Sequence, residues 1–358
     1  MSDTPHDIAT DTVIVGAGPI GIELAACLKR LGHDYRHVDA GCVAHTIAWY
    51  PKQTRFFSGP DRIAIAGVPL ATVNQEKASR EEYLAYLRSV VRQYDLDIST
   101  YERVAQLADG DGTHRHIVAT TRHGQPHATY RCQNVVLAIG DMHHARKLDI
   151  PGEGLPHVSH YFDEPHSYFR RKLLIVGGRN SAVEAAIRCY RAGADVAISY
   201  RRPWFDEEHI KYWLMPDLKT LIDKGEVDFH GQTVPVDINT DRVRLESTEN
   251  DGGGAFDLDA DAVLLLTGYT QDKSLFRMAG VALDGVNEAP VVDYETMQTQ
   301  NPGVYVVGTA TAGTQNHFKV YIENSHPHVA KACKAITGQA PPTGMINDAA
   351  QRYSLLET

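Results

Sequence analysis

The sequence predicts an α/β protein organised around parallel sheets and divided into two domains. Three observations carry that expectation. The segment TVIVGAGPIGIELAACLKRLGHDYRHVD, residues 12–39, reads as strand, glycine turn, helix, strand. A second segment, LIVGGRNSAVEAAIRCYRAGADVAISY, aligns with it without a gap at an offset of 161 residues, Gly16 falling on Gly177. The chain has 358 residues, enough for two domains of ordinary size.

Each repeat can be justified element by element. An apolar run enters the turn in both copies. In the first helix Ile22, Ala25, Ala26 and Leu28 make one apolar face. In the second, Val183, Ile187 and Tyr190 recur at helical spacing. Gly32 and Gly193 stand where a helix needs a residue that tolerates the left-handed conformation. The strands that follow end at Asp39 and Tyr200.

The first turn satisfies G-x-G-x-x-G with Gly16, Gly18 and Gly21, and Pro19 and Ile20 fill the gap before the last glycine. Gly16 permits a sharp turn, Gly18 lets backbone approach a pyrophosphate at the helix N-terminus, and Gly21 lets helix pack on strand. Asp39 lies 18 residues beyond Gly21, where a carboxylate can accept from ribose hydroxyls. This is a dinucleotide site.

The second turn reads Gly177, Arg179, Ala182, followed by Asn180 and Ser181 at the helix start. Its strand ends in Tyr200-Arg201-Arg202 in place of an acid. A carboxylate would repel a 2′-phosphate, whereas guanidinium forks bind one. The second site is therefore expected to prefer NADP(H).

Between and after the repeats, AHTIAWYPKQTRFFSG (residues 44–59) reads as an aromatic loop able to line a flat ring. Ser79 and Glu82 form a capping box for a helix whose Tyr83, Leu87, Val90 and Tyr94 share a face. Apolar strands over 135–139 and 304–307, and the run DAVLLLTG, end at glycines. Ala138, Gly140, Gly268 and Gly308 are accordingly expected beside the nucleotides.

Composition narrows the function classes. The formal net charge is −10, which gives no reason to expect nucleic acid or an anionic membrane as partner. No apolar run approaches the about 18 residues of a membrane-crossing helix, and the polar start MSDTPHDIATD is no signal peptide. Five cysteines without close pairing fit reduced thiols and a cytoplasmic location. The adjacent His143 and His144 lack a carboxylate partner or helical ligand spacing, so no metal is expected.

With these parts in order, the chain resembles the two-dinucleotide-binding flavoproteins of the thioredoxin reductase superfamily. Three stretches are similar to the bacillithiol disulfide reductase (bacilliredoxin reductase) family: GPIG…GCVAHTIAWYP…TRFFS, GGRNSAVEAAIRCYRAGADVAISYRR…KYWLMPDLKTLI and KVYIEN. The resemblance implies two Rossmann-like domains, the second inserted into the first. It places FAD on residues 1–158 and 286–358 and NADPH on 159–285. It implies hydride transfer from NADPH to flavin and on to a small acceptor, and commonly a homo-oligomer. By it, Gly16, Gly18, Pro19, Ile20, Gly21 and Asp39 contact FAD; Gly177, Arg179, Asn180, Ser181, Ala182, Arg201 and Arg202 contact NADPH.

Two departures matter. Ile20 stands where that family places a cysteine linked to activity, and Thr309 follows Gly308 where many relatives carry an acid. The acceptor is therefore open among a low-molecular-weight disulfide, a quinone and O₂, which would make the chain a monooxygenase or NADPH oxidase. A ferredoxin reductase and a non-enzymatic NADPH-sensing flavoprotein are further readings. Cys42, His45 and His317 are the catalytic candidates, as a stand-in thiol and as proton donors.

Overall fold

A computed structural model describes residues 6–249, 254–316 and 319–348. They form two compact units. One gathers the described residues up to Trp49, Gln53–His144 and those from Thr270 onward; the other is Tyr50–Lys52 with Ala145–Tyr269. The chain passes between them at 144/145 and 269/270, whereas the sequence reading put the passages at 158/159 and 285/286. The difference has a packing reason. Leu148, Ile150 and Leu155 pack on a core with Leu174, Val263 and Leu265. Phe276, Ala279 and Val281 belong to a core with Val13, Val135 and Val304.

The first unit carries a four-stranded parallel sheet in the spatial order Val304–Val306, Asn134–Leu137, Thr12–Val15, Tyr35–Val38. The helix Pro19–Arg30 crosses from the third of these to the fourth. Its Ile22, Leu24, Ala25, Ala26 and Leu28 are fully buried, as the sequence pattern requires. A second sheet pairs Gln125–Cys132 with His6–Ala9 in parallel and His116–Arg122 antiparallel, with Glu102–Asp109 beyond. The expected capping box forms: Ser79 accepts from Glu82 N–H, and Glu82 accepts from Ser79 N–H, at the start of Arg80–Gln93.

The second unit has a five-stranded parallel sheet, ordered Val227–Gly231, Asp195–Tyr200, Lys172–Val176, Ala262–Leu265, Val158–Ser159. Asn180–Arg191 is its crossover helix, with Val183, Ala186, Ile187 and Cys189 in the core. A three-stranded antiparallel sheet of Thr233–Ile238, Arg242–Ser247 and Ala255–Asp259 completes it.

Both crossover helices stop the same way. His33 N–H reaches Leu28 C=O at 3.0 Å and Gly32 N–H reaches Lys29 C=O at 3.1 Å. Ala194 N–H reaches Cys189 C=O at 3.0 Å and Gly193 N–H reaches Tyr190 C=O at 2.8 Å. These are paired Schellman closures, and Gly32 (φ +69°) and Gly193 (φ +88°) hold the left-handed position.

Each crossover helix also carries a carboxylate at the same place, Glu23 and Glu184. Glu23 is fully buried and meets His326 Nδ1 at 2.8 Å while accepting from Ala66 N–H at 3.1 Å. His326 in turn donates through Nε2 to Arg62 C=O. Burial opposes the charge on His326, but the Glu23 carboxylate and the Arg62 carbonyl raise its pKa. Glu184 meets Lys211 Nζ at 2.9 Å.

Candidate functional sites

The first site is built at the carboxyl ends of three adjacent parallel strands, where open α/β sheets bind ligands. Gly16 has φ +109°, and a Cβ there would lie 2.4 Å from Ala138 C=O, so only glycine lets the turn pass the neighbouring strand. A Cβ on Gly21 would lie 2.0 Å from Gly16 C=O, so helix and strand touch through bare backbone. Before Gly18, by contrast, there is open space: a Cβ there would meet no atom within 4 Å. Gly18 is the helix N-cap and no side chain caps it; Pro19 is the first helical residue. The free N–H groups of the first turn thus face an open cradle, which fits a pyrophosphate.

Asp39 does two things here. Its Oδ2 accepts from Ala17 N–H at 2.6 Å and its Oδ1 from Gly41 N–H at 2.7 Å. A carboxylate has about four acceptor positions, so capacity remains for ribose hydroxyls. His37 is buried and meets the Gly16 carbonyl through Nε2 at 2.9 Å. Burial lowers its pKa, which keeps the ring neutral as a donor.

Ile20 is nearly buried. Its side chain packs where a Cβ on Gly308 (φ +74°) would lie 3.3 Å from it. Gly140 has φ +78° at the end of the neighbouring strand. A buried acid, Asp141, follows Gly140 at the end of the neighbouring strand and accepts from Gln315 Nε2 at 2.9 Å. Burial raises the Asp141 pKa. Sequence reasoning passed over this residue, although its place directly after Gly140 was a usable signal.

The catalytic candidates fare unequally. Cys42 Sγ lies 3.8 Å from His45 Nδ1, so these two are brought together. Burial and then the Asp39 charge push the Cys42 thiol up, so the pair does not favour a thiolate. Cys27, Cys132, Cys189 and Cys333 are buried free thiols. Desolvation raises the pKa of each; Cys132 and Cys189 are pushed to about 12 and Cys333 to about 11. His317 lies outside the described residues.

The second site repeats the first with altered chemistry. Gly177 has φ +141°, and a Cβ there would lie 2.5 Å from Leu266 C=O. Arg179 is the N-cap, and no side chain caps the helix. Ala182 replaces the third glycine and is buried. Asn180 is engaged locally: its Oδ1 accepts from Lys211 N–H at 2.7 Å and its Nδ2 donates to His209 C=O. Ser181 is exposed at the helix start. Tyr200 stacks on Phe205 with centroids 5.7 Å apart, and a Cβ on Gly178 would lie 2.5 Å from the Tyr200 ring. Arg201 and Arg202 are exposed beyond it, Arg202 within 3.5 Å of Asp206. Gly268, with φ +102°, faces open space at the end of the strand Ala262–Leu265. An uncapped helix start and two exposed guanidinium groups fit a phosphorylated dinucleotide.

The model for pyridine nucleotide-disulphide oxidoreductases matches residues 13–308. The chain belongs to that family. The bacilliredoxin reductase of Bacillus subtilis is 30% identical over 321 residues, 90% of this chain and 95% of the relative. Bacillithiol disulfide reductases from Staphylococcus aureus and Bacillus cereus superpose with TM-scores of 0.85 at 28% and 30% identity, covering 92% of this chain and 99% of each. A ferredoxin–NADP reductase of Ignicoccus hospitalis is 27% identical over 84% of this chain and 90% of its own length. This pyridine nucleotide-disulphide oxidoreductase is thus an FAD-dependent NADPH oxidoreductase, akin to the bacilliredoxin reductases that its sequence resembles. Among its described residues no helix is long and apolar enough to cross a membrane.

Proposed function

We propose that the chain reduces a low-molecular-weight disulfide, RSSR + NADPH + H⁺ → 2 RSH + NADP⁺, with no protein thiol in the relay. The observation that carries this reading is the environment of the phosphate turn. Ile20 can neither attack sulfur nor ionise, and it packs against Gly308 where a reactive cysteine would otherwise sit. Four of the five cysteines are buried, and Cys42 is held toward its neutral form. The likeness to bacilliredoxin reductases supports a disulfide as acceptor.

In this reading Gly16, Gly18, Gly21 and Asp39 hold FAD, with Ala138, Gly140 and Gly308 closing the cradle. Gly177, Arg179, Ser181, Ala182, Arg201 and Arg202 hold NADPH. Asn180 supports that site through the 209–211 segment. FAD held by these residues would supply the redox chemistry, hydride exchange with NADPH and two-electron reduction of the acceptor. The protein supplies alignment, the anion-binding helix starts and the exclusion of competing thiols. The free cysteines accord with the cytoplasm as its compartment.

The test is anaerobic stopped-flow mixing of the NADPH-reduced holoenzyme with disulfides, quinones and O₂ in turn. Fast flavin reoxidation by a disulfide, retained within about twofold in Cys42→Ser as expected of a residue outside the electron path, supports the proposal. Reoxidation by O₂ alone, or its loss in Cys42→Ser, sinks it.

A further inference from the structure

A cleft in the first unit lies outside both turns. It has a volume of about 270 Å³ and is lined by Phe57, Ser58, Gly59, Asp61, Arg62, Lys77 and Glu323. A dinucleotide needs far more room, since sites for drug-sized ligands run from roughly 300 to 1,000 Å³. This cleft suits a group the size of an amino acid.

Its charges are balanced. Two cations, Arg62 and Lys77, face two carboxylates, Asp61 and Glu323. A site for a simple anion would carry a surplus of one sign. The balance here is also incompletely used. Glu323 Oε2 is buried and has no hydrogen-bond partner, with Arg62 Nη1 only at 3.9 Å. A buried carboxylate oxygen without a donor is costly, so the Glu323 carboxylate, whose side chain is still 18% exposed at the cleft wall, has unmet acceptor capacity for a donor that arrives from outside. Among the described residues no carboxylate pairs with Lys77; its ammonium lies 6.0 Å from the centre of the exposed Phe57 ring. The cleft therefore offers an unmet acceptor and an unpaired cation within one small volume, beside an apolar ring.

The cleft is fixed to the nucleotide cradle. The carbonyl of Arg62 accepts from His326 Nε2, and His326 Nδ1 meets Glu23 on the helix whose start forms the phosphate turn.

We propose that this cleft is a binding subsite for the zwitterionic, amino-acid-like end of a disulfide substrate, Glu323 taking its ammonium and Lys77 its carboxylate. The inference rests on the disulfide reading above and names the class of disulfide: one that carries an α-amino acid group. Phe57 would cover the aliphatic part of that group.

Four disulfides separate the contributions: cystine (both charges), cystamine (ammonium only), dithiodipropionate (carboxylate only) and hydroxyethyl disulfide (neutral). The holoenzyme should show its lowest KM for cystine. Loss of one charge-assisted hydrogen bond should raise the KM for cystine about tenfold in Lys77→Ala and in Glu323→Gln, with kcat nearly unchanged. The KM for hydroxyethyl disulfide should not move in either variant. Cystine turnover with wild-type KM in both variants overturns the subsite and leaves the disulfide reading standing.

A redox-inert probe, S-methylcysteine, tests the cleft without turnover. Saturation-transfer NMR should show it bound to the holoenzyme and weakened in both variants; an unchanged signal overturns the inference. Binding of S-methylcysteine that depends on Lys77 and Glu323, with no reduction of any disulfide, keeps the subsite and removes the disulfide reading. Glu323→Gln preserves shape, so flavin content and melting temperature matching the wild type separate a binding defect from a folding defect.

Discussion

The two nucleotide turns are the same backbone solved twice with different side chains. Residue 17 and residue 39 meet in the first copy; their counterparts 178 and 200 meet in the second. In the first, Ala17 N–H donates to the small Asp39 carboxylate, and there is room for the alanine methyl. In the second, the strand ends in Tyr200, whose ring fills that room, and residue 178 has to be glycine. The third glycine differs too. A Cβ on Gly21 has nowhere to go, whereas the second copy carries Ala182 there, and it is the added Cβ at Gly177 that would meet the Ala182 methyl, at 3.3 Å. The lesson is that a nucleotide fingerprint is a set of paired choices, not a row of independent glycines.

The comparison can be broken most severely at position 21. Gly21→Ala drives a methyl into the Gly16 carbonyl, and backbone on both sides cannot give way. It should cost about 3 kcal/mol or more and yield protein without flavin, read by absorbance near 450 nm and thermal melting. Purified Gly21→Ala that is yellow and melts like the wild type would refute the close-packing account.

The buried Glu23–His326 pair makes the next test depend on pH. His326→Gln should cost about 3 kcal/mol at pH 6, because it leaves a buried Glu23 without its cation. The folded-state pKa of His326 is raised, so its contribution is complete below its unfolded value, about 6.5, and is lost as pH rises through the folded value. The deficit of His326→Gln should shrink between pH 6 and 9 in denaturant titrations. Glu323 and His328 lie near the pair, Glu323 supporting the charge on His326.

At position 178 the comparison predicts a rescue. Gly178→Ala should cost about 2 kcal/mol by overpacking against Tyr200, and much less when it is introduced into a Tyr200→Asp chain than into the wild type. An equal cost of Gly178→Ala in both backgrounds would show that the Tyr200 ring is not the obstacle. The mildest effect concerns the arginines. Arg201→Ala with Arg202→Ala should lower the preference for NADPH over NADH in kcat/KM by about tenfold to a hundredfold, with stability unchanged. An unaltered preference would remove the phosphate role of this pair.

Much of this was legible in the sequence because turns and caps are local. The repeat, the Gly16–Gly21 turn, the capping box at Ser79 and the Gly32 and Gly193 stops all depend on residues a few positions apart. What stayed hidden depends on contacts between distant segments. Glu23 meets His326 across some three hundred residues of chain, and no periodicity announces that. Buried Asp141 comes to lie at a strand end next to the one that leads to Thr309 because two strands far apart in sequence are neighbours in the sheet. The passages between units fall at different residues in sequence and structure for the same reason: the sequence around 145–158 and 270–285 does not say which core its apolar residues will join.

The Tyr200–Gly178 contact has a consequence for history. If one copy arose by duplicating the other, the change from Ala and Asp to Gly and Tyr took at least two substitutions, and their order was constrained. Installing the aromatic first would have driven its ring into a methyl; removing the methyl first merely opened a small gap. Glycine first is therefore the less costly order, and a reverse conversion in the laboratory should take the same road backwards.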